Sequence, residues 1–480
     1  MNEREGWRFW ALVCCWLFAA ASAVAAQAPA TVRSGPTSRT SLGLTIYNSN
    51  FGLVRETRLA NLPSGTVQLD FEGVPSSIEP ATVHLGNAPG VTVLDQSYEY
   101  DVLDPERLLQ SYVGKQMTLV FRERVAGSTQ EKLVPALLLS AKGPVWKIGN
   151  EIVTGIHPDG YRFPGLPAQL HSRPTLLWTL DDARAGTRPL TVSYLTGGMN
   201  WNADYILDLT PDGTRASLSG WVTLANNSGA SFENAALSLV AGQVNRATPA
   251  PQPVRMMAMQ GGVGGGVAQQ FVQAPIGEYH LYTLNRRISL ADRESKQIGL
   301  LSAPNVPMTE TYVVSGNSSY FRMPVPVGAP AEGAVQVVLS FRNDAAAGLG
   351  QPLPAGVVRV YQPDARGELI LLGEASISHT PKDETVRLNV GNAFDITSRR
   401  TQTDFRRISN NVYESAFAVT LRNHKDKPVT VEVREPVNGS WEVLESNFPA
   451  KKRDAFTLEF DVPVPASGSA TLTYRVRVTD

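Results

Sequence analysis

Apolar and polar residues alternate at every second position through much of the chain, most sharply between Trp201 and Arg246. Tyr205, Leu207 and Leu209 fall on one face of a strand and Asp208 on the other, and Pro211-Asp212-Gly213 then supplies turn chemistry. Ala216, Leu218, Gly220, Val222 and Leu224 next alternate with Arg215, Ser217, Ser219 and Thr223. Asn226-Asn227-Ser228-Gly229 offers a further reversal, because Asn and Gly tolerate positive φ. The stretch predicts an antiparallel meander.

The same period recurs on either side. Leu44 to Tyr47, Gly52 to Leu59 and Thr66 to Phe71 read as strands near the beginning. Towards the end, Tyr413, Phe417, Val419 and Leu421, then Val429, Val431 and Val433, then Phe456, Leu458 and Phe460, and last Leu472, Tyr474, Val476 and Val478 each share a face. One segment predicts a helix: Asp104 as N-cap, Pro105 in the first turn, Leu108, Leu109 and Tyr112 on one face, and Gly114 as the stop. The expected fold is all-β, with multiple antiparallel β domains, a short helix opening a small inserted barrel near 104–156, and a C-terminal immunoglobulin-like sandwich. The expected partition is a flexible lead-in over 27–40, an N-terminal β domain over 41–189, a central β domain over 190–380 and the sandwich over 381–480. A loop at 247–277, rich in Gly, Met and Pro, interrupts the central domain.

Composition supports many short strands. Of the 480 residues 42% are hydrophobic and 18% charged, with 40 Gly and 33 Pro, a mixture that builds cores and punctuates them often. The formal net charge of −1 gives no general drive towards nucleic acid or an anionic membrane. Arg4 and Arg8 precede the apolar run Trp10 to Ala20, and Ala23-Val24-Ala25 supplies small residues before Ala26. Residues 1–26 therefore read as a signal peptide, with an uncleaved anchor as the alternative, and the expected location is the periplasm or cell surface. Cys14 and Cys15, the only two cysteines, both lie in that segment, so the mature chain would have no disulfide or thiolate site and no transmembrane span after cleavage.

Candidate chemistry is thin. The histidines His84, His157, His171, His280, His379 and His424 lack the i, i+4 helical spacing of a zinc protease, and no cofactor or metal is called for. Gly264-Gly265-Gly266 lacks the Lys-Ser/Thr that a phosphate loop needs. Met256, Met257 and Met259 fit an adaptable apolar loop better than a copper site. Glu278, His280 and Tyr282 alternate on one predicted strand, which would bring an acid, a base and a phenol together, although a polar sheet face has the same pattern. Asp204, flanked by Trp201 and Tyr205, is the best sugar-facing carboxylate, with a structural role as the alternative. Arg399, Arg400, Arg406 and Arg407 form a local basic patch suited to carboxylate or phosphate groups, or else a solvated hairpin arm.

The segments WNADYILDL, GWVTLANNSGASFENAALSLVAGQVNR, EYHLYTL, KQIGLL and LRNHKDKPVTVEVRE resemble an exported bacterial family of unknown function related to mucoidy-inhibitor-A-like proteins. The resemblance runs from Leu190 to the C-terminus. LTIYNSNFGLVRE and LDFEGVPSSIEPATV look like that family's N-terminal portion. It implies a β-rich domain and carries over no catalytic residue, substrate or cofactor. The leading expectation is a non-enzymatic envelope protein that binds or scaffolds a protein or glycan partner. The alternative is an envelope polysaccharide hydrolase using carboxylates of the central domain.

Overall fold

The computed structural model describes residues 29–479 except 87, 100–104, 126–127, 166, 168–172, 243, 247–269 and 325–327. Residues 1–26, expected to be a signal peptide, with Cys14 and Cys15, and Asp104, His171, the three methionines and Gly264-Gly265-Gly266 lie outside the described residues. The described chain is mostly strand, with one α-helix, Pro105–Ser111. No helix among the described residues is long and apolar enough to cross a membrane.

Six sheets among the described residues carry the fold. The largest runs Phe271–Ile276, Tyr279–Leu284, Phe232–Ala241, Arg39–Tyr47, Phe51–Leu62, Gly186–Gly197 and His84–Leu85, with Ile288–Leu290 also on Phe232–Ala241. A four-stranded sheet, Ala30–Ser34, Gly65–Glu72, Thr175–Asp182 and Val91–Glu99, shares its core, as does the central five-stranded sheet of Glu294–Pro307, Arg215–Asn226, Met199–Leu209, Gly356–Pro363 and Leu369–Ile377. Phe232–Ala241 pairs in parallel with Arg39–Tyr47, so the segments expected as N-terminal and central domains contribute to one sheet. Their shared core includes Ile46, Val54, Trp178, Tyr194, Trp201 and Leu239.

A second core belongs to the C-terminal sandwich. Thr385–Asn392, Gln336–Arg342, Thr309–Ser315, Val429–Pro436, Thr457–Val464 and Ala450–Asp454 form one sheet, and Ala331–Gly333, Ile396–Arg407, Val412–Asn423, Gly468–Thr479 and Ser440–Ser446 the other. Phe417, Phe460 and Tyr474 fill the space between them, ring centroids 5.1 to 5.6 Å apart. The sandwich recruits strands well before residue 381: Thr309–Ser315 pairs in parallel with Val429–Pro436.

Three further expectations are corrected. The lead-in 27–40 carries the strand Ala30–Ser34, paired in parallel with Gly65–Glu72 and anchored by Val32 against the main core and by the Arg58 guanidinium, which donates to the Ser34 carbonyl at 2.7 Å. The insertion is an open five-stranded sheet instead of a barrel: Glu151–Thr154 and Gly160–Arg162 are its two unpaired edges. Its helix still packs Leu108, Leu109 and Tyr112 onto the small core around Trp146. The end of the 247–277 loop is the strand Phe271–Ile276, which folds back on Tyr279–Leu284 through a turn with Gly277 at φ +58°.

One local device recurs three times. Leu224-Ala225-Asn226, Phe341-Arg342-Asn343 and Leu421-Arg422-Asn423 each place a buried asparagine at the end of a strand or one residue past it. Each amide donates to a carbonyl of the loop that follows and to one of a neighbouring loop: Ala230 and Ala291 for Asn226, Gln351 and Pro381 for Asn343, Lys427 and Pro465 for Asn423. Each also accepts a backbone N–H within its own loop. A short side chain with two donors and an acceptor thus satisfies loop backbone that would otherwise be buried unpaired.

Candidate functional site

Period-two alternation along Met199–Leu209 sends Trp201, Ala203 and Tyr205 into the core and Asn202 and Asp204 to the opposite face. The indole of Trp201 donates to the Val240 carbonyl at 3.2 Å, and its ring lies 6.3 Å from that of Tyr282. Two phenols then hold the Pro352-Leu353-Pro354 turn: Tyr282 donates to the Pro352 carbonyl at 3.0 Å and Tyr205 to the Pro354 carbonyl at 2.8 Å. Burial pushes both phenols up from the usual tyrosine range, so they remain protonated donors.

The turn delivers Gly356 directly against Ala203, its parallel-strand partner. A Cβ at Gly356 would stand 2.1 Å from the Ala203 carbonyl oxygen, so only glycine permits this approach. Where the strands meet, a groove of about 330 Å³ opens, lined by Asn48, Trp201, Asn202, Gly356, Ser376 and Ile377 among others. No charged side chain among the described residues lines it. The Asn48 and Asn202 amides and the Ser376 hydroxyl have no side-chain partner among the described residues.

Beside the groove, His379 Nδ1 accepts the Ala355 N–H at 3.1 Å, and the bridge between Leu353 and Thr380 closes the same corner. Partial desolvation of the ring, and secondarily the charge of His280, hold His379 below its ordinary value of 6.5. Protonation would occupy the lone pair that Ala355 uses. The neutral form is favoured in the folded state, so the stabilisation is complete above pH 6.5 and is lost as pH falls through the lower folded value. Acidification from neutral pH is therefore expected to lower the melting temperature more in the wild type than in His379→Asn, which keeps an acceptor but does not titrate. Equal pH slopes in a thermal unfolding series would exclude this role.

The candidates from sequence separate. Asp204, on the outer face of the central sheet, accepts from Thr223 Oγ1 at 2.9 Å and from Arg359 Nη1 at 3.3 Å, while Arg359 Nε reaches Glu374 at 2.8 Å. Glu278 sits in the exposed hairpin turn, and His280 Nδ1 lies 2.8 Å from the Gln273 amide nitrogen. No contact joins Asp204 to Glu278 or His280 among the described residues, and no three potential ligands there converge on a metal position. Trp201 and Tyr282 do meet, as core residues behind the groove.

The basic patch also divides. Arg399 pairs with Glu332, Arg406 with Asp404, and Arg407 bonds the Asn410 backbone and side chain. Arg400 points inwards to Glu435 and Tyr474, so it belongs to the sandwich core instead of a solvated arm. Sequence reading passed over Gly356 and the Pro352-Leu353-Pro354-Ala355-Gly356 run, whose Pro and Gly content was the available signal.

Residues 190–479 match a family model described as a domain of unknown function (DUF4139). No curated protein matches the chain.

Proposed function

From the premise that the chain belongs to the DUF4139 family, we propose that it is an exported cell-envelope protein that binds or scaffolds a partner, a neutral protein segment or glycan, at the groove beside Gly356. The observation that carries this reading is the lining: two amides and a hydroxyl without side-chain partners, apolar walls and no charge. Such a surface suits hydroxyl or amide groups of an uncharged ligand and supplies no positive charge to offset the desolvation of a phosphate or carboxylate. The signal-like segment at 1–26 and the resemblance to mucoidy-inhibitor-A-like proteins support the envelope location. The hydrolase reading lacks comparable support, because Asp204 is already engaged by Arg359 and Thr223 on another face.

The test is retention of envelope glycans and envelope proteins, assayed separately, on immobilised mature chain. Asn202 and Ser376 are exposed, so Asn202→Ala and Ser376→Arg are expected to fold normally by circular dichroism. Loss of one hydrogen bond is expected to weaken retention up to about tenfold, and the arginine, which fills and charges the groove, more than that. Retention unaltered by both substitutions would overturn the assignment.

A further inference from the structure

Trp221 is the one tryptophan among the described residues that no core or hydrogen bond holds. Trp146, Trp178 and Trp201 are buried in cores, and Trp441 packs on the sandwich core and donates to the Ala455 carbonyl. Trp221 is half-buried, joins none of these cores, and its indole N–H has no partner among the described residues. Alternation along Arg215–Asn226 turns it to the outer face of the central sheet, between the buried Gly220 and Val222. On one side it stands opposite Gly299, which has no side chain, and on the other opposite Asp204. Tyr361 is on the same face, opposite Asp208. It too joins no core, and its hydroxyl has no partner among the described residues. Two strand spacings across and four residues along separate the rings, about 16 Å in all. Ile206 stands between them, and Ser217, Ser219 and Asp208 beside that line have no hydrogen-bond partner among the described residues.

We propose that this face binds a linear, uncharged, β-linked glycan laid across it from Trp221 to Tyr361. An accessible aromatic ring packs against the C–H face of a sugar, and hydroxyls and a carboxylate beside it pair with the sugar's hydroxyls. A β-linked chain is a flat ribbon, which suits a sheet face. Asp204, Asp208 and Glu374 outweigh the single guanidinium of Arg359 here, which disfavours an acidic glycan or nucleic acid. An added peptide strand needs a sheet edge for its backbone, whereas Trp221, Asp208 and Tyr361 stand on the three inner strands. Asp204 and Asp208 stand about 13 Å apart along their strand, beyond the roughly 10 Å across which two carboxyls cleave a glycosidic bond, a spacing for holding and not for hydrolysis. The face extends the groove, on whose glycan reading the proposal rests: Val357 and Ser376 line the groove and stand in one row with Asp204 and Trp221.

Titration of the mature chain with cellopentaose and with chitopentaose, followed by tryptophan fluorescence and calorimetry, tests this. At least one is expected to bind with a blue shift of the emission, and the shift is expected to disappear in Trp221→Phe. Trp221→Ala is expected to weaken binding at least tenfold and Tyr361→Ala several-fold, both with little change in melting temperature, since neither side chain is in a core. Binding that Ser376→Arg abolishes but Trp221→Ala and Tyr361→Ala leave unaltered would overturn this proposal and spare the groove. Binding that Trp221→Ala abolishes and Ser376→Arg leaves intact would uphold the face and overturn the groove. Binding of neither pentasaccharide, or retention of an envelope protein that Trp221→Ala abolishes in place of glycan, would overturn the proposal.

Discussion

Arg400→Met is expected to destabilise the C-terminal sandwich by about 3–5 kcal/mol, because it strands a buried carboxylate. Arg400 Nη1 donates to Glu435 Oε1 at 2.5 Å and to the Tyr474 hydroxyl at 2.9 Å, and its guanidinium lies 5.4 Å from the Tyr320 ring and 5.9 Å from that of Phe417. Glu435 is fully buried, and Gly316 lies so close that a Cβ there would stand 1.8 Å from its Oε2. Burial raises the Glu435 carboxyl, while Arg400 and Tyr474 pull it back. Without Arg400 the folded-state value rises further, so the destabilisation is largest at neutral pH and shrinks as pH falls towards the ordinary carboxyl value of 4.5. Glu435→Gln in the same background is expected to recover much of the loss at neutral pH. Urea unfolding at neutral and mildly acidic pH checks both, and a midpoint unmoved by Arg400→Met would refute the account. Arg399→Ala and Arg406→Ala remove exposed side chains, and Asp404 keeps Arg475 as a partner, so both are expected to leave the midpoint almost unchanged.

That contrast marks where sequence reading reaches its limit. Period-two alternation identified the strands and which residues of Met199–Leu209 face the core, because side-chain direction along a strand is a local property. It also separates Arg399 from Arg400, which stand on opposite faces, but not which face is covered. Coverage depends on Tyr320, Phe417 and Tyr474, drawn from 320 to 474 in the chain. The parallel pairing of Phe232–Ala241 with Arg39–Tyr47 has no local signal either, since its partners lie on opposite sides of an intervening sheet and an inserted unit. Domain boundaries drawn along the chain therefore cut through sheets. The groove follows the same rule. Trp201 and Tyr282 were legible as aromatics on strands, but the groove exists because their neighbourhood holds a Pro-rich turn from residues 352–354. Asp204 drew attention as an acid beside aromatics, and only the fold pairs it with Arg359.

Asn226 and Asn227 look equivalent in sequence, as turn residues that tolerate positive φ, and they are expected to differ sharply on substitution. Neither needs a left-handed backbone; the positive φ at this corner belongs to Gly198 at +75°, Gly229 at +83° and Arg293 at +60°. The Asn226 amide is buried and donates to the Ala230 and Ala291 carbonyls at 2.8 and 2.9 Å, while its oxygen accepts from Ser228 N–H at 3.1 Å and Ser228 Oγ at 2.7 Å. Asn227 is exposed and contributes its backbone N–H to the Gly198 carbonyl at 2.6 Å. Asn226→Ala leaves several backbone groups buried and unpaired, each worth about 1–3 kcal/mol, so a loss of about 3 kcal/mol or more is expected. Asn226→Asp retains the acceptor but turns a carboxylate towards two carbonyls. It is expected to be at least as damaging at neutral pH and milder in acid, where the carboxyl takes up a proton and donates again. Asn227→Ala is expected to move the melting temperature little. Because Asn226 stands opposite Met199 in the sheet, two residues before Trp201, loosening this corner also releases the strand that forms the groove. Asn226→Ala is therefore expected to lose partner retention together with stability, whereas Ser376→Arg loses retention alone. Comparable melting temperatures for the Asn226 and Asn227 variants would show that the buried amide is not what closes the corner.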